Sequence, residues 1–276
     1  MPEAGRIAAC SILSSLEERS VAPVKMPVGF THKFHLQPRL SATQVGDYLS
    51  ANATNRRRIL REAKYPPTIL LIRYEDAKNA LVAHLAREGA VDGSLDRKIL
   101  ALRRKADDGG ITDYARANCN LCVDAIESFQ AYERNLEVGK TKFLKPLVHY
   151  SRLKISGVSI SVSIDLRTEK VDAKGTKSVG GAMLVFSKSG RPDKNLPDRC
   201  KAITLLIQEL LQGYVKNGEQ LDPSLCMAID VFNGKVYRAK SLQRQLYKTV
   251  VNSCGEVAMV WPSIEPPPNY NGPPIP

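Results

Sequence analysis

No apolar run in this chain approaches the roughly 20 residues that a bilayer-spanning helix requires. The only apolar patch near the start, residues 7–13, is too short for the core of a secretory signal, and Glu17 and Glu18 follow it. The six cysteines (10, 119, 122, 200, 226 and 254) are scattered, several of them inside apolar runs. That pattern argues against a disulfide framework and for a reducing, cytoplasmic compartment. The chain also lacks a Gly-x-Ser-x-Gly nucleophile elbow and a paired-glycine dinucleotide fingerprint. Gly139-Lys140-Thr141 mimics the end of a phosphate loop, but Arg134 stands where the leading glycine belongs. Cys119-x-x-Cys122 has no second cysteine pair, and only His32-x-x-His35 could complete a zinc set with it.

What is present is positive charge. Forty Lys and Arg against 28 Asp and Glu leave a formal net charge of +12. An excess of that size favours a polyanionic partner through phosphate contacts and counterion release. It is unevenly placed: residues 1–110 carry 18 basic and 12 acidic side chains (+6), and residues 145–262 carry 18 and 10 (+8). Between them, residues 111–144 hold 4 and 5. Two basic blocks flanking a near-neutral segment fit a nucleic acid that runs across two parts of the molecule.

Along the chain, residues 1–40 read as an irregular leader, within which Met26 is a second candidate start beside Met1. Residues 41–110 form a basic helical region. Ser41 caps a short helix to Ala51, and Thr54 caps a second, which holds Arg56, Arg57, Arg58 and Arg61 and is stopped by Pro66-Pro67. A short strand-like run, Thr68 to Ile72, precedes an amphipathic helix from Tyr74 to Arg87. The next helix, Ser94 to Lys105, ends in Arg103, Arg104 and Lys105. Both basic helices are candidate nucleic-acid surfaces, or solvated faces.

From Thr112 the period predicts a long helix to Leu136, strands from Phe143 onward, and the clearest alternation in the chain at Val158–Leu166. A polar turn leads to a second strand, Ala182 to Lys188, apolar on both faces and so expected at the covered centre of a sheet. A helix from Pro197 to Val215 follows, then a hairpin around Asn233-Gly234 and a last helix to Val260. Residues 111–262 thus read as one α/β domain, and residues 263–276 as an extended proline-rich tail.

The order helix, strand, strand, strand, helix, strand resembles the core of the restriction-endonuclease-like, or PD-(D/E)XK, superfamily, over roughly residues 112–240. That resemblance implies an α/β fold with a mixed central sheet flanked by helices, joined here to the basic helical N-terminal region. It also implies an aspartate on the second core strand and an acid-x-lysine triplet on the third. Two carboxylates would hold Mg²⁺ to stabilise charge on the scissile phosphate, with the lysine assisting. Ile164-Asp165 matches the first motif and Lys188 the lysine, but Phe186 stands where the second acid belongs. Glu169 and Asp230 are the replacement candidates, so the metal set would be Asp165 with Glu169 or Asp230. Asp230 also reads as a satisfied structural aspartate. The expected function is nucleic-acid binding, DNA favoured, by a nuclease-like module of a bacterial-type defence, repair or mobile-element system. Its site is either inactive or active with a displaced acid. The alternative is a non-enzymatic protein-interaction component.

Overall fold

A computed structural model describes residues 30–68, 73–86, 93–146, 148, 150–187, 193–239 and 243–275. The chain opens with strand β1 (Arg39–Ser41) and helices α1 (Ala42–Ser50), α2 (Ala53–Lys64), α3 (Glu75–Leu85), α4 (Ser94–Asp107) and α5 (Asp113–Tyr132). Strands β2 (Lys142–Leu144), β3 (Leu153–Ile155), β4 (Val158–Ser161), β5 (Leu166–Val171) and β6 (Lys177–Val185) follow. Helix α6 (Leu196–Leu211), strands β7 (Glu219–Leu221), β8 (Met227–Asp230) and β9 (Lys235–Arg238), and helix α7 (Arg244–Val260) complete it. No helix among the described residues is long and apolar enough to cross a membrane.

The helix starts follow local chemistry. Ser41 and Gln44 form a reciprocal capping box on α1, each side chain accepting from the other's backbone N–H at 3.1 and 2.8 Å. Helix α2 is capped by Asn52, whose Oδ1 accepts from Asn55 N at 3.0 Å, not by Thr54. Asparagine is the stronger cap, and it lies two residues earlier. Thr112 caps α5, its side chain accepting from Ala115 N at 3.2 Å.

The central sheet is mixed, in the order β2-β5-β6-β8-β9, with β7 beside the first residues of β6. Strand β5 is antiparallel to β2 and β6; β8 is parallel to β6, and β9 antiparallel to β8. Strand β6 is covered on both sides. Ala182 and Leu184, with Leu166, Met227 and Ile229, pack under α3, α4 and α5. Val185 and Ala228 face the other core, built from α1, α2, α6 and α7. The helices of residues 41–110 therefore enter both layers, α1 and α2 on one face of the sheet and α3 and α4 on the other.

The expected strand Val158–Leu166 is two strands. Strand β4 lies in a separate three-stranded sheet, parallel to β1 and antiparallel to β3, whereas β5 lies in the central sheet. Val158 and Ile160 are buried with Ser159 and Ser161 half-buried between and after them, so the alternation holds in β4; it breaks at residues 164–166, all three buried, where the chain passes from one sheet to the other. A period of two reports which side is covered and says nothing of which neighbour pairs. The polar turn between β5 and β6 is shorter than expected: Asp172 Oδ1 accepts from Lys174 N and Thr176 N, both at 2.8 Å. Strand β6 begins at Lys177 and closes at Val185; Lys188 lies outside the described residues, as does most of the Thr68–Ile72 run.

The tail after α7 has no regular structure, as its prolines dictate, yet it is tied down. Trp261 is buried and its indole N–H donates to His35 O at 3.1 Å. Asn271 O accepts from Thr31 N and His32 N at 2.7 and 3.1 Å.

Candidate functional site

Asp165 sits where the chain leaves the small sheet and enters β5. Its N–H donates to Ala182 O at 2.9 Å, and because β5 and β6 are a hairpin, the opening of β5 faces the closing end of β6. Leu184 N there donates to Asp165 Oδ2 at 2.8 Å. Ser163 Oγ donates to Oδ1 at 3.0 Å, and Lys78 Nζ from α3 pairs with that same Oδ1 at 2.5 Å. The Asp165 side chain is only 2% exposed, that of Lys78 38%. The carboxylate is thus sealed by an ammonium, a backbone amide and a hydroxyl.

One turn before Lys78, Tyr74 takes a left-handed conformation (φ 64°) at the start of α3. Its ring stacks on Phe186 with centroids 5.1 Å apart and planes at 14°, and meets Phe232 edge-on at 5.8 Å. Helix α3 therefore delivers two groups to this end of the sheet: an aromatic ring over Phe186 and a cation on Asp165. A carboxylate paired this way offers no free negative charge to a divalent ion, and a phenyl ring offers no oxygen ligand.

The other candidate ligands stand elsewhere. Glu169 is four residues along β5, about 13 Å at the usual strand rise, and belongs to a different ion network. Its Oε1 accepts from Arg167 Nε at 2.9 Å and Lys177 Nζ at 2.8 Å, and Glu219 on β7 shares both cations at 2.7 and 3.3 Å. Burial pushes both glutamates up, but the bonds to Arg167 and Lys177 outweigh it and hold them below the ordinary carboxylate range. Asp230 is 1% exposed and caps the β8–β9 turn, accepting from Phe232 N at 3.1 Å, Asn233 N at 3.3 Å and Asn233 Nδ2 at 2.6 Å. It is a satisfied structural aspartate. The structure does not bring Asp165, Glu169 and Asp230 together, and among the described residues no three His, Cys, Asp or Glu are grouped to hold a metal ion. Cys119 and Cys122 are buried on the inner stripe of α5.

The basic candidates divide. Arg58 pairs with Glu62 at 2.8 Å, and Arg103 with Glu127 at 2.5 Å. Arg56 lies 4.8 Å over the Tyr48 ring, donates to Tyr48 O at 3.1 Å and approaches Glu256 at 3.8 Å. Among the described residues Arg57, Arg61, Arg104 and Lys105 make no ion pair, and all four are exposed. Arg57 and Arg61, one turn apart on α2, edge a groove of about 500 Å³ between α2 and the chain after α7. Tyr48, Leu60 and Ile264 form its apolar floor. Arg104 and Lys105 project from α4, in the opposite helical layer.

Lys78 and Tyr74 carry no signal in the sequence, because their partners are 87 and 112 positions away and α3 reads simply as amphipathic. No family model matches this chain, and no curated protein matches it.

Proposed function

We propose that this chain binds nucleic acid, DNA in preference to RNA, through a nuclease-like module whose cleavage site is degenerate. One observation carries the reading: Asp165 opens β5 against the closing end of β6 with Lys78 Nζ, an internal cation, on its carboxylate. The run α5, β2, β5, β6, α6, β8 supports it, since these strands lie side by side in chain order, with β3 and β4 set aside in the smaller sheet. That is the α-β-β-β-α-β order of the restriction-endonuclease-like superfamily. In such a site a divalent cation would sit against the aspartate; here an ammonium neutralises it, and it cannot polarise a water toward hydroxide. The phosphate contacts fall to Arg57 and Arg61 beside their groove, in a cytoplasmic setting. A Mg²⁺-dependent reaction would require Lys78 to leave Asp165 and a second acid to arrive.

A plasmid cleavage assay with Mg²⁺ and Mn²⁺, run beside duplex binding at several salt concentrations, tests this. The expected outcome is binding that weakens steeply with salt and no metal-dependent nicking. Arg57→Ala/Arg61→Ala should lower the slope of log affinity against log salt by about 2, roughly 0.9 for each phosphate no longer neutralised. Metal-dependent cleavage abolished by Asp165→Ala overturns the degenerate site, and absence of salt-sensitive binding overturns the nucleic-acid reading. The second reading, a protein-interaction component, is favoured by Met259 and Val260, which lie 76% and 41% exposed at the end of α7. An apolar contact there would be nearly indifferent to salt.

A further inference from the structure

A second concavity, of about 490 Å³, opens where the loop from α5 into β2 passes the turn between β7 and β8. It is walled by Lys140, Thr141, Lys170, Ser224 and Arg238, with Glu137 the one acid in the lining. Three cations against one carboxylate leave this small space with a formal charge of +2. The cations are not cancelled elsewhere: Lys140 and Lys170 are exposed and make no ion pair among the described residues. Arg238 is held differently. One terminal nitrogen donates to Ser224 O at 2.6 Å and the other to Glu137 O, so two backbone carbonyls from opposite walls fix the guanidinium and leave its charge intact.

A pre-positioned guanidinium with two exposed ammonium groups beside it is the donor set that a doubly charged oxyanion takes. The hydroxyls of Thr141 and Ser224 add donors on the same walls. At the rim Gly139 takes φ 57° with nothing within 4 Å of where a Cβ would stand, so the backbone there is open to a ligand oxygen. The motif that resembled the end of a phosphate loop thus lines a basic cavity, although no helix follows it.

We propose that this cavity is a binding site for a phosphomonoester dianion, supplied either by the terminal phosphate of a polynucleotide or by a small phosphorylated metabolite. A phosphomonoester carries close to two negative charges at pH 7, matching the excess in the cavity. The site shares no residue with the α2 groove, so it stands or falls independently of duplex binding there.

Calorimetric titration of the full chain with inorganic phosphate at constant ionic strength, chloride serving as the control, is the test. Phosphate is expected to bind saturably. Lys140→Gln/Lys170→Gln should weaken it at least tenfold without moving the Tm of the unliganded protein, because both side chains are exposed and unpaired. Arg238→Lys should weaken it comparably by removing the planar fork, while Arg57→Ala/Arg61→Ala should leave it unchanged. Equal phosphate affinity in the parent and the Lys140/Lys170 variant, or an equal response to chloride, would overturn the proposal. A 5′-phosphorylated oligonucleotide that competes with phosphate better than its 5′-hydroxyl counterpart identifies a polynucleotide end as the source. If the two oligonucleotides compete equally while free phosphate still binds through these lysines, the source is a small metabolite.

Discussion

At the scale of single residues, two lysines tie distant segments of the chain together without serving a surface. Lys78 neutralises Asp165. Lys64, 4% exposed, has no carboxylate partner among the described residues and donates instead to the carbonyls of Trp261, Pro262 and Ile264 at 2.8, 3.1 and 3.0 Å. Those carbonyls follow the C-terminal end of α7, where the helix dipole favours a cation. Lys78→Met should cost about 2–3 kcal/mol in urea unfolding, because it strands a buried carboxylate. The low end applies since Lys78 keeps 38% of its side chain in water while two other donors still reach Asp165. Beside Lys64, burial above all, then the charges of Arg39, Arg152 and Lys33, push His35 down to about 4 from its ordinary 6.5. Between those values the unfolded chain binds the proton more readily than the folded one. Stability is therefore full above about pH 6.5 and is lost as pH falls towards about 4. His35→Gln should flatten that part of a Tm-against-pH curve, since the hydrogen bonds His35 makes here use its backbone and survive the substitution.

At the scale of elements, α1 and α6 approach each other closely. A Cβ on Gly46 would lie 2.8 Å from both Cα and Cγ of Arg199, so the backbones of these helices meet with no room for a methyl group. Arg199 also pairs with Asp47 on α1 and with Asp193 at 3.0 Å, which fixes the helices in register. Gly46→Ala should force them apart and cost about 1–3 kcal/mol, read as a lower Tm. Gly180 on β6 is under a similar constraint from the backbone of Leu225. Helix α3 matters for a different reason: the left-handed turn at Tyr74 sets its start so that ring and ammonium, one turn apart, both reach the ends of β5 and β6.

At the scale of the whole molecule, the sheet separates the two basic helices. Arg57 and Arg61 lie with the α6–α7 layer, and Arg104 and Lys105 with the α3–α5 layer. One duplex lying on one face cannot reach across three layers to the other. Arg57→Ala/Arg61→Ala should therefore weaken duplex binding, whereas Arg104→Ala/Lys105→Ala should leave the one-to-one complex unchanged in a mobility-shift titration. If both pairs weaken it equally, the duplex crosses an edge of the sheet.

The sequence by itself determined the elements whose cause is local. Ser41 as a cap, the stop at Pro66-Pro67, the Asn233-Gly234 turn and the two-sided burial of β6 follow from hydrogen bonding and periodicity within a few residues. The tertiary structure decided everything that depends on pairing across long separations. Alternation at residues 158–166 could not reveal that two sheets share it, and three carboxylates at positions 165, 169 and 230 could not reveal three separate environments. Nor could an amphipathic pattern reveal that Lys78 lies on Asp165. A residue's own neighbours fix its backbone and the side it buries, but the charge it meets is set by whichever distant segment the fold lays against it.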